Sequence, residues 1–330
     1  MSAELLPVIF MCLMGIAMLT YVALDGYDLG VGMLLPLANK HDKDTMIASI
    51  GPFWDANETW LVLGVGILLI AFPKAQGLVL TAVYLPTTAM LIGLTLRGVA
   101  FDFRVKAHDD HQPWWNTAFF TGSLMASVAQ GWMLGRLVTG FSDGWQFQLF
   151  AALIALALPL AYVLLGSGWL IMKTEGSLQQ HAVRWAQRAW LPVAIGMLLI
   201  SVITPLVSES VRNKWFTLPA LFALIPIPLA TTVALLFLPI SLKTERVRGE
   251  LCWIPFALTL LVIVLGFFGL AYSLYPWVVM DRITIWQAAA APESLRFILV
   301  GTALTVPAIA LYTVLVYRIF HGKTQPLSYG

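Results

Sequence analysis

Apolar runs of about 20 residues, the length that carries a helix across a bilayer, recur from one end of this sequence to the other. Nine can be counted: Leu6–Leu24 with a continuation toward Leu37, Ala48–Phe72, Gly77–Leu96, Asn116–Val138, Phe147–Met172, Trp185–Val207, Phe216–Ile240, Leu251–Leu274 and Leu295–Phe320. With 59% hydrophobic and only 11% charged residues, the chain falls far below the roughly 25% charge of a water-soluble domain. The expected fold is an all-α polytopic membrane protein of about nine transmembrane helices, since a barrel would show short alternating segments instead.

The connections leave no space for a soluble catalytic domain, because the longest, 97–115 and 275–294, are only about 20 residues each. The expected layout is a first four-helix bundle over 1–140, a second over 141–275, and a loop with a peripheral ninth helix over 276–330. A net charge of +2 gives no reason to expect nucleic acid as a partner. Trp114, Trp145, Trp215 and Trp277 near segment ends suit interfacial belts in contact with membrane lipid. Cys12 and Cys252 fall in apolar stretches without metal-ligand spacing and read as inert thiols. Glu4 and the unbroken apolar run behind it speak against a cleaved signal.

Lysine and arginine orient the chain. Thirteen of the 19 fall in the odd-numbered connections and the C-terminal tail, including Lys40, Lys43, Arg104, Lys106 and Lys323. Six fall in the alternate connections: Lys74, Arg136, Arg212, Lys214, Arg282 and Arg296. Positive residues stay inside, so the N-terminus is expected outside and the C-terminus in the cytoplasm.

Against this apolar background four acids stand out. Asp25 and Asp28 interrupt the first run, and Asp55 and Glu58 open the second, each pair three residues apart and so on one helix face. Ionisable groups at membrane depth mark functional sites by default. Each pair also has a structural reading. The first helix can end at Asp25 in a hydrated turn made by Gly26, Gly30 and Gly32. Asp55 and Glu58 can complement the start of a helix opened by Pro52. The apolar window Met46–Phe53 argues that Asp55 and Glu58 lie some way into the membrane, with Asn57 a further polar group among them. Arg97 is the natural charge partner for one of these acids, while Arg104 and Lys106 read as cytoplasmic anchors. Gln130 and Ser127 read as hydrogen-bonding glue between helices.

The five histidines, His41, His108, His111, His181 and His321, lie in connections or at segment ends. A haem inside a helix bundle needs an axial side chain at depth. The chain is therefore expected to ligate no haem and no metal itself.

The strings Leu24-Asp25-Gly26-Tyr27-Asp28-Leu29-Gly30-Val31-Gly32-Met33-Leu34 and Pro52-Phe53-Trp54-Asp55-Ala56-Asn57-Glu58-Thr59-Trp60-Leu61 resemble the signatures of subunit II of cytochrome bd-type quinol oxidases. Val99-Ala100-Phe101-Asp102-Phe103-Arg104 is similar to a third, and the compact Asp-Ala-Asn-Glu-Thr wording resembles the cyanide-insensitive branch. The resemblance implies an electrogenic terminal oxidase of the bacterial inner membrane that oxidises quinol and reduces dioxygen. Two b-type haems and one haem d would belong to the partner, subunit I. It further implies a possible small single-helix subunit and a possible structural quinone. Carried over residue by residue, Asp28 and Asp55 match the family's proton-path acids, Glu58 lies beside them, and Trp60 matches the mouth of a proposed oxygen route. Asp25 is placed at the margin of that path. Two other classes remain open: a proton-coupled secondary transporter, which would repeat its acids in the second half, and a purely structural membrane subunit.

Overall fold

The computed structural model describes residues 2–108 and 110–324. The elements are α1 (Leu5–Leu34), α2 (Lys40–Ile50), α3 (Trp54–Ala71), α4 (Pro73–Ala82), α5 (Tyr84–Lys106), α6 (Gln112–Val138) and α7 (Trp145–Lys173). They continue with α8 (Gly176–Val207), α9 (Glu209–Phe216), α10 (Ala220–Leu224), α11 (Pro226–Lys243) and α12 (Ile254–Leu274). A small hairpin, β1 (Trp277–Val279) and β2 (Ile283–Thr284), precedes α13 (Ile285–Ala288) and α14 (Pro292–Ile319). The described residues are all-α apart from that hairpin.

Among the described residues, eight helices are long and apolar enough to cross a membrane. The remaining expected segment, Asn116–Val138, lies in α6, a helix of 27 residues with Gly122, Ser123, Ser127, Gly131 and Gly135 buried. The small and polar residues that lower its hydropathy are the ones that let it pack closely against α5 and α7.

Three expectations change. The first helix does not end at Asp25. It runs unbroken to Leu34 and continues in a 3₁₀ turn to Leu37, so the hydrated-turn reading fails. The reason is packing: Asp25 to Gly32 are all buried against α7 and other helices, where an open turn would strand backbone groups. The second segment is two helices. Gly51 and Pro52 break it, Met46–Ile50 belong to α2, and Asp55 lies in the first turn of α3 rather than deep within a span. The third and seventh segments also divide, at Val83 and at Ile225.

Helix α1 packs against α3, α6 and α7, and α7 packs in turn against α6, α8 and α12. The α1–α7 crossing brings two backbones together at glycines. A Cβ on Gly30 would lie 1.8 Å from the Tyr162 carbonyl oxygen, and one on Gly166 would lie 2.6 Å from the Gly30 carbonyl carbon. Backbone cannot swing aside as a side chain can. Gly166→Leu is therefore expected to separate the helices, costing at least the ~1–3 kcal/mol of an overpacked core. The check is the yield of intact protein from membranes and its thermal midpoint.

Elsewhere, Pro239 inside α11 leaves the carbonyl of Leu235 without its helical donor, and the Trp190 indole of α8 donates to it at 2.6 Å. Helix α14 lies on the rim, with only Leu295, Thr313 and Val316 buried. Its end is clasped to the end of α7: Lys173 donates to the Phe320 carbonyl at 2.7 Å, and Lys323 to the Thr174 carbonyl at 2.9 Å.

Candidate functional site

The polar site forms where the C-terminal half of α1, the start of α3, the C-terminal part of α5 and the end of α14 meet. Helical spacing puts Asp25 and Asp28 on one face of α1, turned inward and fully buried. Arg97 of α5, 1% exposed, reaches between helices to Asp25 at 2.7 Å and also to Glu58 of α3. Glu58 is 26% exposed and is the member of this group that reaches the surface.

Asn57 of α3, fully buried, faces Asp28. Its Nδ2 lies 2.7 Å from Asp28 Oδ2, 3.0 Å from the Tyr27 hydroxyl and 3.4 Å from the Leu24 carbonyl. The Tyr317 hydroxyl of α14 donates to Asn57 Oδ1 at 3.2 Å and lies 2.5 Å from the Tyr27 hydroxyl. Aromatic rings cover this network. Tyr27 stacks on Trp169 with centroids 4.0 Å apart, Phe53 packs on Tyr317, and the Lys173 ammonium sits over the Phe53 and Trp169 rings. One turn before Asp25, on the same face of α1, Tyr21 accepts from Gln130 of α6 at 2.7 Å, and Tyr162 of α7 donates to Gln130 at 2.8 Å.

Charge counting gives the site its chemistry. Three carboxyls, Asp25, Asp28 and Glu58, share one guanidinium. Full ionisation would leave two uncompensated negative charges in or beside an apolar interior, at several kcal/mol each. The cluster thus carries more carboxyls than its one cation can balance. Asp28 is the member without an ion pair: Oδ2 takes the Asn57 amide, and buried Oδ1 has no hydrogen-bond partner among the described residues.

The residues singled out in the sequence are thus only partly gathered. Asp25, Asp28, Glu58 and Arg97 come together, with Asp25 at the centre rather than the margin. Asp55 does not join them. It is exposed in the first turn of α3, because a residue two before buried Asn57 falls on the opposite side of the helix, and no ion pair joins it to Arg97. Trp60 is buried, its indole donating to Thr313 of α14 at 3.2 Å. Arg104 is more than a membrane anchor: it pairs with Asp44 of α2 at 2.6 Å and donates to Asn116 of α6. Gln130 joins two tyrosines as well as two helices. Tyr317 was invisible to sequence reasoning because it lies 290 residues from Tyr27 in a helix that carries no motif. Tyr27 and Asn57 stood inside the quoted strings, and two buried-capable polar side chains beside acids were the available signal.

Among the described residues no group of three or more His, Cys, Asp and Glu is placed to hold a metal ion. His41 is in α2, His108 lies between α5 and α6, His111 is at the N-terminus of α6, His181 is near the start of α8 and His321 follows α14, so none projects from mid-span.

The sequence profile of the family described as cytochrome bd terminal oxidase subunit II matches residues 6–320. The chain belongs to that family. It is 26% identical over 343 residues to the cytochrome bd ubiquinol oxidase subunit 2 of Bacillus subtilis (strain 168), covering 96% of this chain and 97% of that one. It is 25% identical over 364 residues to the cytochrome bd-I ubiquinol oxidase subunit 2 of Escherichia coli (strain K12), covering 97% and 95%. Among solved structures, the bd oxidase from Geobacillus thermodenitrificans superposes with a TM-score of 0.77 at 17% identity, over 96% of this chain and 98% of that chain, a likeness of fold. As subunit II, the chain is a supporting subunit of a membrane oxidase, alongside subunit I.

Proposed function

We propose that this subunit carries protons from the cytoplasm toward oxygen reduction in a quinol-oxidising subunit I, through Asp28, Asp25 and Glu58 with Arg97 as their fixed counter-charge. The observation that carries the reading is the gathering of two buried carboxyls, Asp25 and Asp28, and half-buried Glu58 about a single buried guanidinium. Nothing in a lipid-facing scaffold requires such an excess of acid, and intramembrane acids of this kind serve proton relays. Uptake from the cytoplasm, with quinol protons released outside, separates charge without a pump.

The reading places nine spans in the membrane, α6 included, with the N-terminus periplasmic and the C-terminus cytoplasmic. The lysine and arginine bias supports that orientation. It keeps two four-helix bundles, 1–140 and 141–275, and a peripheral α14 following the loop after residue 276. It assigns two b-type haems and haem d to subunit I, where quinol and dioxygen react. Trp60, between α3 and α14, marks the proposed oxygen route. A small single-helix subunit, bound lipid and a structural quinone complete the expected partners, with no residue of this chain assigned to the quinone.

Asp55, exposed one turn before Glu58, is the outermost acid of the proposed path. The acids should therefore rank by burial. In the purified oxidase Glu58→Gln should lower quinol-dependent oxygen uptake about tenfold, and Asp55→Asn less than about threefold, both with unchanged haem spectra. Wild-type turnover in Glu58→Gln would remove Glu58 from the path and favour a purely structural role. A transporter reading predicts a matching set of acids in the second half, and among the described residues the buried charged groups there reduce to Lys173.

A further inference from the structure

Asn57 and the two hydroxyls beside it close a ring. In the observed arrangement Asn57 Nδ2 donates to the Tyr27 oxygen (3.0 Å), the Tyr27 hydroxyl donates to the Tyr317 oxygen (2.5 Å), and the Tyr317 hydroxyl donates to Asn57 Oδ1 (3.2 Å). The remaining Nδ2 hydrogen points at Asp28 Oδ2, 2.7 Å away. The directions are forced. An amide nitrogen only donates, so the Tyr27 oxygen accepts and its hydrogen goes to Tyr317, whose hydrogen then goes to the amide oxygen.

This ring also closes in the opposite sense. A half-turn of the Asn57 amide exchanges its nitrogen and oxygen. Asn57 Nδ2 then donates to Tyr317, Tyr317 to Tyr27, and Tyr27 to Asn57 Oδ1, which now faces Asp28. The first sense offers Asp28 a donor and suits a carboxylate. The second offers an acceptor and suits a carboxylic acid. We propose that Asn57, Tyr27 and Tyr317 form a hydrogen-bond ring that reverses as Asp28 gains and loses its proton. This inference rests on the reading of Asp28 as a proton carrier.

The chemistry balances within the site. One proton arrives at Asp28 Oδ2 and forms an O–H bond, which donates to Asn57 Oδ1. The two hydroxyl hydrogens swing, the amide turns, and no other covalent bond forms or breaks. Protonation at Oδ1 instead would bury an O–H facing no acceptor among the described residues, the more costly choice. The Leu24 carbonyl, 3.4 Å from the amide nitrogen, favours the observed sense. The charged groups acting on Asp28 are Asp25 on its own helix, Arg97 of α5 and Glu58 of α3, while α14 contributes the neutral Tyr317. The ring thus ties the state of a buried acid to the last helix of the chain, 260 residues beyond Asn57.

The two tyrosines play unequal parts, and this makes the ring testable. Without the Tyr317 hydroxyl the reversed amide has a buried N–H and no acceptor, so the amide keeps its nitrogen on Asp28 even when the acid is protonated. Without the Tyr27 hydroxyl the observed sense loses an acceptor of the amide N–H, whereas the reversed sense loses only the partner of the rotatable Tyr317 hydroxyl, so the amide can still turn. The experiment is infrared difference spectroscopy on the assembled oxidase, reading the carboxylic C=O band that disappears in Asp28→Asn. Tyr317→Phe should move this band to lower frequency, because its carbonyl now accepts the amide N–H. Turnover should fall about tenfold with unchanged haem content. Tyr27→Phe should leave the band at its wild-type frequency. A band unmoved in Tyr317→Phe, or moved alike in both variants, overturns the ring while leaving Asp28 a proton carrier. Absence of any Asp28-dependent band overturns the carrier reading and the ring with it.

Discussion

Arg97→Leu is expected to destabilise the subunit by about 3–5 kcal/mol, the usual consequence of removing one partner from a buried ionic cluster. The guanidinium is 1% exposed and faces Asp25, which is fully buried, and Glu58. Its removal leaves Asp25 without a counter-charge between α1 and α5. Membranes should then contain little assembled oxidase, measured by haem absorbance per milligram of membrane protein. Adding Asp25→Leu to Arg97→Leu should recover part of the loss, because two apolar side chains in contact are tolerated where a lone buried carboxylate is not. A double-mutant cycle without coupling between these positions would show that the pair contributes nothing beyond its separate side chains.

Asp28→Asn is expected to lower turnover about 100-fold, at the low end of what a proton-transferring side chain contributes, without loss of haem or subunit I. The substitution keeps the size and the hydrogen-bonding capacity of the side chain. It removes only the ability to carry a proton. Arg97→Leu and Asp28→Asn thus separate the two proposed roles in the cluster, Arg97 holding it together and Asp28 carrying protons. If Asp28→Asn turned over like the wild type, the acids would be structural and protons would reach subunit I by another way.

The contrast between Asp25 and Asp55 shows what the sequence could and could not supply. All four acids are anomalies in an apolar chain, and three of them, Asp25, Asp28 and Glu58, come together in the fold. Their ranking depended on helix phase and helix boundaries, which the apolar pattern blurs. The run Ala48–Phe72 reads as one span, yet Gly51 and Pro52 divide it, and this resets the phase so that Asn57 turns inward and Asp55 outward. Asp25 stood at the end of an expected helix. Close contact between α1 and α7 at Gly30 and Gly166 instead carries the helix on, so Asp25 becomes an interior group.

Hydrophobicity determined the class of this protein by itself: helices in a membrane, short connections, chemistry confined to a few polar side chains. That part is legible because burying apolar surface and satisfying backbone hydrogen bonds are local requirements, met within each segment. The motif strings likewise carried the family. Which polar groups meet was decided by tertiary structure. Arg97 reaches Asp25 across 72 residues of sequence, and Tyr317 closes a ring with Tyr27 and Asn57 from the last helix. Contacts of this kind depend on the angles at which helices cross, which small residues such as Gly30, Gly93, Gly122 and Gly166 set by allowing backbones to touch.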